Sequence, residues 1–238
     1  MSDFVLGVAS SVVAALIVYL IARLLAPLLG YWGGYFNLLT SAWRLQRGGL
    51  NNIILSRSDY RLLRGGETIA NYLGHVNQRL IYIGFWHAKG IEMANIQDTF
   101  LKLLERNCSI ELVLLSADID DRTAEIIAKH LGIDVDGLRG RIDSAWRYVR
   151  ELRRQIPSRY SLRFSLKSHK NAVYASCFII DQNLSNARIL VDTKIFGLGR
   201  EDGYAMELVP TSEPNNLYER FLRSFEKIAD EAEEVREP

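Results

Sequence analysis

The chain has 238 residues, 48% of them apolar, and a formal charge of +1. That is enough apolar material for a proper core, but it is unevenly spread, and the near-zero net charge conceals a strongly dipolar arrangement. Two cysteines, Cys108 and Cys177, sit in or beside apolar strand-like runs; their spacing gives no metal-site pattern, and they read as reduced core residues.

From Phe4 to Ala22 there is no charged residue. A helix of that length rises to roughly the 30 Å hydrocarbon thickness of a bilayer, which predicts one transmembrane span. A cleaved signal peptide would carry a basic leader, a shorter apolar run and a small-x-small cleavage site. Here Asp3 precedes the run and Arg23 is followed by Leu24-Leu25-Ala26-Pro27-Leu28, so the span is expected to be retained. Arg23, Arg44 and Arg47 follow it, which predicts a single-pass protein of the cell inner membrane with its C-terminal domain cytoplasmic. Gly7, Ser11 and Ala15 recur every four residues, a spacing that lets helices approach closely in lipid. Tyr31, Trp32, Tyr35 and Trp43 read as an aromatic belt, and Phe36, Leu39, Ala42 and Trp43 as an interfacial stripe. Gly48, Gly49, Asn51 and Asn52 read as a linker. The predicted organisation is an anchor over 1–30, an interfacial segment and linker over 31–56, an α/β domain over 57–210, and a C-terminal helix with an acidic tail over 211–238.

Ile69, Leu73, Val76 and Leu80 predict a helix near 66–79, running into an apolar strand at 81–86. Met93, Ile96, Phe100 and Leu103 predict a second helix, and 110–115 a second strand. Helices follow near 122–131 and 142–156. The latter is amphipathic, with Ile142, Ala145, Trp146, Val149, Leu152 and Ile156 on one face and Arg147, Arg150 and Arg154 on the other. Strands are predicted near 161–166, 173–180, 187–192 and 204–209. A last helix is expected to be capped by Ser212, with Pro214 in its first turn and Leu217, Phe221, Phe225 and Ile228 facing inward. Helices alternating with buried strands define a layered α/β class.

Charge then singles out one stretch. Arg139 to Lys170 holds ten Lys or Arg against Asp143 and Glu151, whereas the chain from Glu226 onward is acidic. Such a local excess attracts polyanions, whether ligand phosphates or anionic lipid. No Walker motif, Rossmann fingerprint or nucleophile elbow is present, and Gly197, Gly199 and Gly203 read as a turn. No motif implies a cofactor.

The run Val173-Tyr174-Ala175-Ser176-Cys177-Phe178-Ile179-Ile180-Asp181, then Ile189 to Lys194 and Met206-Glu207-Leu208, resembles the phospholipase D superfamily, whose signature is H-x-K-x-x-x-x-D followed by a second apolar strand and a later Glu. With Asp181 at the family Asp, Tyr174 stands at the nucleophilic His and Ser176 at the phosphate-binding Lys, so the resemblance implies a fold without its catalytic pair. His87-Ala88-Lys89 echoes H-x-K with no Asp at the required spacing. His87 and Lys89, at a strand end, and Arg163, Lys167, His169 and Lys170, before the degenerate motif, complete the candidate ligand-binding set with Tyr174, Ser176, Asp181, Lys194 and Glu207. The family builds its site from two repeats, so one repeat per chain implies a homodimer or higher homo-oligomer. The predicted class is therefore α/β: an N-terminal transmembrane helix followed by a layered α/β phospholipase D-like domain.

Three functions follow from this reading. The leading one is a membrane-anchored sensor or effector that binds a phosphate-bearing nucleotide or oligonucleotide signal. By analogy with bacterial effectors that fuse membrane helices to nucleotide-sensing domains, it would serve antiviral defence. The alternatives are a membrane-bound phosphodiesterase using His87 or His169, and a scaffold with no ligand.

Overall fold

The computed structural model describes residues 40–54, 69–85, 91–173, 175–193 and 203–235. The expected span over 4–22, its aromatic belt as far as Tyr35, and the site candidates His87, Lys89, Tyr174 and Lys194 lie outside the described residues. Among the described residues no helix is long and apolar enough to cross a membrane. The chain divides into two compact units, Met1–Gln46 and Arg47–Pro238. Of the first unit, residues 40–46 are helical and Trp43 is exposed.

The second unit is a mixed α/β domain built on one eight-stranded sheet. The strands are β1 (Leu50–Ile54), β2 (Arg79–Gly84), β3 (Ser109–Leu115), β4 (Phe164–His169), β5 (Ala175–Ile180), β6 (Arg188–Thr193), β7 (Ala205–Leu208) and β8 (Glu233–Glu234). Their order across the sheet is β1-β7-β6-β5-β2-β3-β4-β8. β2, β3 and β4 run parallel, and every other pairing is antiparallel. The parallel trio is joined by helical crossovers, which parallel neighbours require. The first uses α2 (Ile91–Glu105). The second uses α3 (Asp121–His130), α4 (Val135–Gln155) and a 3-10 turn (Ser158–Arg163). A short helix α1 (Ile69–Gly74) precedes β2, and α5 (Leu217–Glu231) precedes β8.

Because successive strand residues face opposite sides, the sheet feeds two cores. Leu80, Tyr82, Leu112, Leu114, Leu166, Ile180 and Leu190 pack with Tyr72 and Leu73 of α1, Phe100, Leu103 and Leu104 of α2, and Trp146, Val149 and Leu152 of α4. Ile81, Ile83, Val113, Cys177, Ile179, Ile189, Val191 and Leu208 pack with Tyr218, Phe225 and Ala229 of α5. Each fully buried side chain of this size stabilises by about 1.5–3 kcal/mol, so the continuous apolar runs of β2, β3 and β6 reflect strands covered on both faces. Cys108 and Cys177 are both buried and unbridged.

Several expected boundaries move, each for a local reason. The segment read as a linker contains β1, which pairs with β7; Gly49, at φ +92°, turns the chain where an added Cβ would meet the Val209 carbonyl at 2.8 Å. The helix expected over 66–79 is described over Ile69–Gly74, because the Asn77, Gln78 and Arg79 amides turn instead to Asp181. Helix α4 starts seven residues before the predicted 142, capped by Asp134, whose side chain accepts from the Gly137 amide. The strand expected at 161–166 is displaced to Phe164–His169, since a 3-10 turn follows Pro157 and leaves Leu162 fully exposed. The last helix is capped by Asn216, which accepts from the Glu219 amide, and not by Ser212.

Candidate functional site

In a sheet of this kind ligand sites form beyond the C-terminal ends of the parallel strands. Gly84, Ser116 and His169 mark those ends on β2, β3 and β4, and the antiparallel neighbours bring Ser176 and Asp192 to the same edge of the sheet. Ser176 lies opposite Asp192, which in turn lies opposite Ala205. Gly84 has no side chain for a steric reason: a Cβ there would stand 2.6 Å from the Tyr82 hydroxyl and 2.8 Å from the Ser176 Oγ. Ser176 and Asp192 are both buried.

His169 is 2% exposed, with its Nε2 3.3 Å from the Gly84 carbonyl oxygen. Burial holds its pKa below the ordinary 6.5, against the opposing effect of the Gly84 and Asn171 backbone. Burial thus favours the neutral imidazole at this end of the sheet. Ser116 ties the same corner, its amide donating to the His169 carbonyl at 2.7 Å.

The remaining predicted residues separate into distinct places. Asp181 sits at the far end of β5 with φ +49°. Its carboxylate accepts from the amides of Asn77 (2.8 Å), Gln78 (2.7 Å) and Arg79 (3.0 Å) and from Asn186 Nδ2 (2.7 Å). Burial raises its pKa, the four donors lower it, and the net shift is downward. Arg163 donates to the Leu104 carbonyl (3.1 Å) and Asn107 Oδ1 (2.5 Å). Lys167 pairs with Glu111 at 2.6 Å and donates to the Ala229 carbonyl of α5. Glu111 also holds Arg79 at 2.8 Å; burial pushes the Glu111 carboxyl up, but the two cations outweigh it and keep it below the usual range. Lys167 therefore works on the α5 side of the sheet, whereas Ser176 faces the α1/α4 side. The structure does not bring them together. Lys170 is exposed and 3.4 Å from Asp118.

Glu207 is 2% exposed and sits one pleat along β7 from Ala205. It accepts from the Tyr72 hydroxyl at 2.6 Å and from Asn51 Nδ2. Arg188 lies on the same face, with its guanidinium carbon 4.7 Å from the Tyr72 ring centroid; it is 4% exposed, and among the described residues its Nε and Nη2 have no hydrogen-bond partner. Sequence reasoning missed Tyr72, Asn51 and Arg188. Asn51 reaches Glu207 only through the β1–β7 pairing, and a G-G-L-N-N run carries no strand signal to reveal it.

A second feature is exposed rather than buried. Of the ten cations between Arg139 and Lys170, several are engaged within the fold: Arg139 with Asp121 (2.7 Å), Arg153 with the Val235 carbonyl (3.1 Å), and Arg163, Lys167 and Lys170 as above. Arg147, Arg150 and Arg154 stand on the exposed face of α4, opposite Ile142, Ala145, Val149 and Leu152. Among the described residues their contacts stay on the helix itself: Arg147 to Ser144 Oγ (3.4 Å), Arg150 against the Trp146 ring, and Arg154 to Glu151 (3.6 Å). Among the described residues no group of three or more His, Cys, Asp or Glu side chains is placed to hold a metal ion.

No protein-family model matches the sequence, and no curated protein does. Among solved structures the chain is similar to TrmBL2, an archaeal chromatin protein (TM-score 0.43, 11% identity, 90% of this chain and 66% of that one). It is similar also to Nuc, a phospholipase D family member from Salmonella typhimurium (0.45, 11%, 78% and 97%), and to phosphatidylserine synthase from Haemophilus influenzae Rd KW20 (0.47, 12%, 72% and 38%). The chain thus spans about two thirds of TrmBL2 and little more than a third of the synthase.

Proposed function

We propose that this chain is a membrane-anchored binding module: a phospholipase D-like domain, lacking the family's catalytic pair, that recognises a phosphate-bearing polyanion through the exposed arginines of α4. The observation that carries this reading is the division of the cations. Lys167 of β4 is taken up by Glu111 and the Ala229 carbonyl, and Arg163 by the Leu104 carbonyl and Asn107, whereas Arg147, Arg150 and Arg154, whose contacts are to residues of α4 itself, remain on one outward face. A guanidinium presents a planar fork of donors suited to phosphate oxygens, and a stripe of them attracts a polyanion by Coulomb forces that salt weakens.

The absence of catalysis follows from the frame at β5. Ser176 is a buried neutral hydroxyl where the family places the lysine that neutralises phosphate, and Asp181 is occupied in holding three backbone amides. Anchoring follows from the uncharged run at 4–22 and the arginines after it. The test is a titration of the detergent-solubilised full chain with a short single-stranded oligonucleotide as polyanion probe. The parent binds without hydrolysing it, and replacing Arg147, Arg150 and Arg154 by Ala weakens binding at least tenfold. Retention of full affinity by that variant removes the recognition role; hydrolysis abolished by His169→Ala replaces the module with an enzyme.

A further inference from the structure

We infer that the end of α4 and the turn after it form a docking surface for an anionic lipid bilayer, an identification of the polyanion that rests on the binding reading above. The evidence is a combination of charge and exposed apolar surface found together in one short stretch. Leu162 is 100% exposed in the 3-10 turn Ser158–Arg163. It lies between Arg159 and Arg163, and the turn follows directly on the helix whose exposed face carries Arg147, Arg150 and Arg154.

A bare leucine beside arginines has little use in water, whereas at a headgroup boundary the leucine can enter the acyl region while the cations remain among the phosphates. One apolar contact gives only marginal binding; stable docking needs a basic patch as the second signal, and here it lies on the adjoining helix. Tyr160 distinguishes lipid from nucleic acid. A single-stranded nucleic acid would stack a base on that ring, but the guanidiniums of Arg159 and Arg163 already lie 4.7 and 5.1 Å from its centroid. An amphipathic ring in contact with two guanidiniums suits the membrane interface. A chain tethered to a bilayer by residues 4–22 would meet that surface at high effective concentration.

The experiment uses the full chain with Leu162→Cys carrying a nitroxide label; Cys108 and Cys177 are buried, and burial raises both thiol pKa values, Cys177 most strongly, so they resist labelling. The protein is incorporated into vesicles of phosphatidylcholine alone or of equal parts phosphatidylcholine and phosphatidylserine. In the mixed vesicles the label becomes accessible to oxygen and shielded from a water-soluble nickel chelate; in phosphatidylcholine alone it stays in water. Each arginine near an anionic surface contributes about fivefold, so Arg150→Ala with Arg154→Ala lowers the docked-to-undocked ratio about 25-fold. A label that stays in water in both compositions overturns the inference. In that case, oligonucleotide binding to the same protein in neutral vesicles leaves the polyanion reading standing, and its failure removes both. Label immersion that is equal with and without phosphatidylserine also overturns the inference, since charge would then play no part.

Discussion

Asp181 is where a structural and a ligand-binding role give opposite results. Replacing it with Ala deletes the acceptor for the Asn77, Gln78 and Arg79 amides and for Asn186, bonds of 2.7–3.0 Å to a side chain 2% exposed. Amides that lose a buried charged acceptor cost about 1–3 kcal/mol each before relaxation, and water can reach some of them, so the net loss is set at about 3–5 kcal/mol. Ala also fits poorly at φ +49°, where Asp and Asn are tolerated. Asp181→Asn keeps that conformation and one oxygen, and should lose about half as much. The sign with pH follows from the lowered pKa. The carboxylate stabilises fully above its unfolded value near 4, and that contribution disappears as pH falls through the folded value. Amide hydrogen exchange of the detergent-solubilised chain at neutral pH is the assay, reading residues 77–79 and the β2–β3 ladder; urea unfolding at neutral pH and below pH 4 gives the totals. The Ala variant should lose protection at 77–79 first, and its deficit should shrink in acid. An Ala variant with parental exchange and unfolding but lost oligonucleotide binding would refute the structural assignment and return Asp181 to the ligand site.

Three further outcomes follow from contacts already described. Gly84→Ala puts a Cβ within 2.9 Å of Tyr82 and Ser176 and should destabilise by about 1–3 kcal/mol; combining it with Ser176→Gly should recover part of that loss, measured as a double-mutant cycle in urea. Lys167→Met breaks the half-buried pair with Glu111 and should cost about 2 kcal/mol, with Arg79 still compensating the carboxylate, while leaving polyanion affinity within twofold of the parent. His169, buried neutral with a lowered pKa, stabilises fully above the ordinary 6.5 and loses that contribution as pH falls through its folded value. His169→Leu should therefore remove acid sensitivity of the unfolding midpoint that begins below about pH 6.5.

What the sequence made legible was what depends on near neighbours. Apolar residues at helical spacing placed α2, α3 and α4 within the right stretches, and the continuous runs at 110–115 and 187–192 placed β3 and β6, because burial on both faces leaves a local mark. β1 left none: Leu50-Asn51-Asn52 is an edge segment whose strand character comes from pairing with β7, more than 150 positions away in the chain. β8 is a pair of glutamates whose strand character comes from the edge of β4. At the candidate site, the spacing around Ser176 and Asp181 could not distinguish an acceptor for three backbone amides from a ligand contact. The cations were the hardest to read. Lys167 and Arg147 look equally available in a list of basic residues; only the fold brings Glu111 to one and leaves the other facing outward.

The central claim, recognition of phosphate by the exposed face of α4, is tested most directly by a salt series. The full chain, held in phosphatidylcholine nanodiscs that offer no competing anionic lipid, is titrated with a short single-stranded oligonucleotide at several salt concentrations, alongside the variant with Arg147, Arg150 and Arg154 replaced by Ala. Each phosphate neutralised on a single strand contributes about −0.7 to the slope of log Kobs against log salt. Three arginines therefore predict a parental slope that is steeper than that of the variant by about 2. Equal slopes for the two proteins, or no binding by the parent at low salt, would contradict the account.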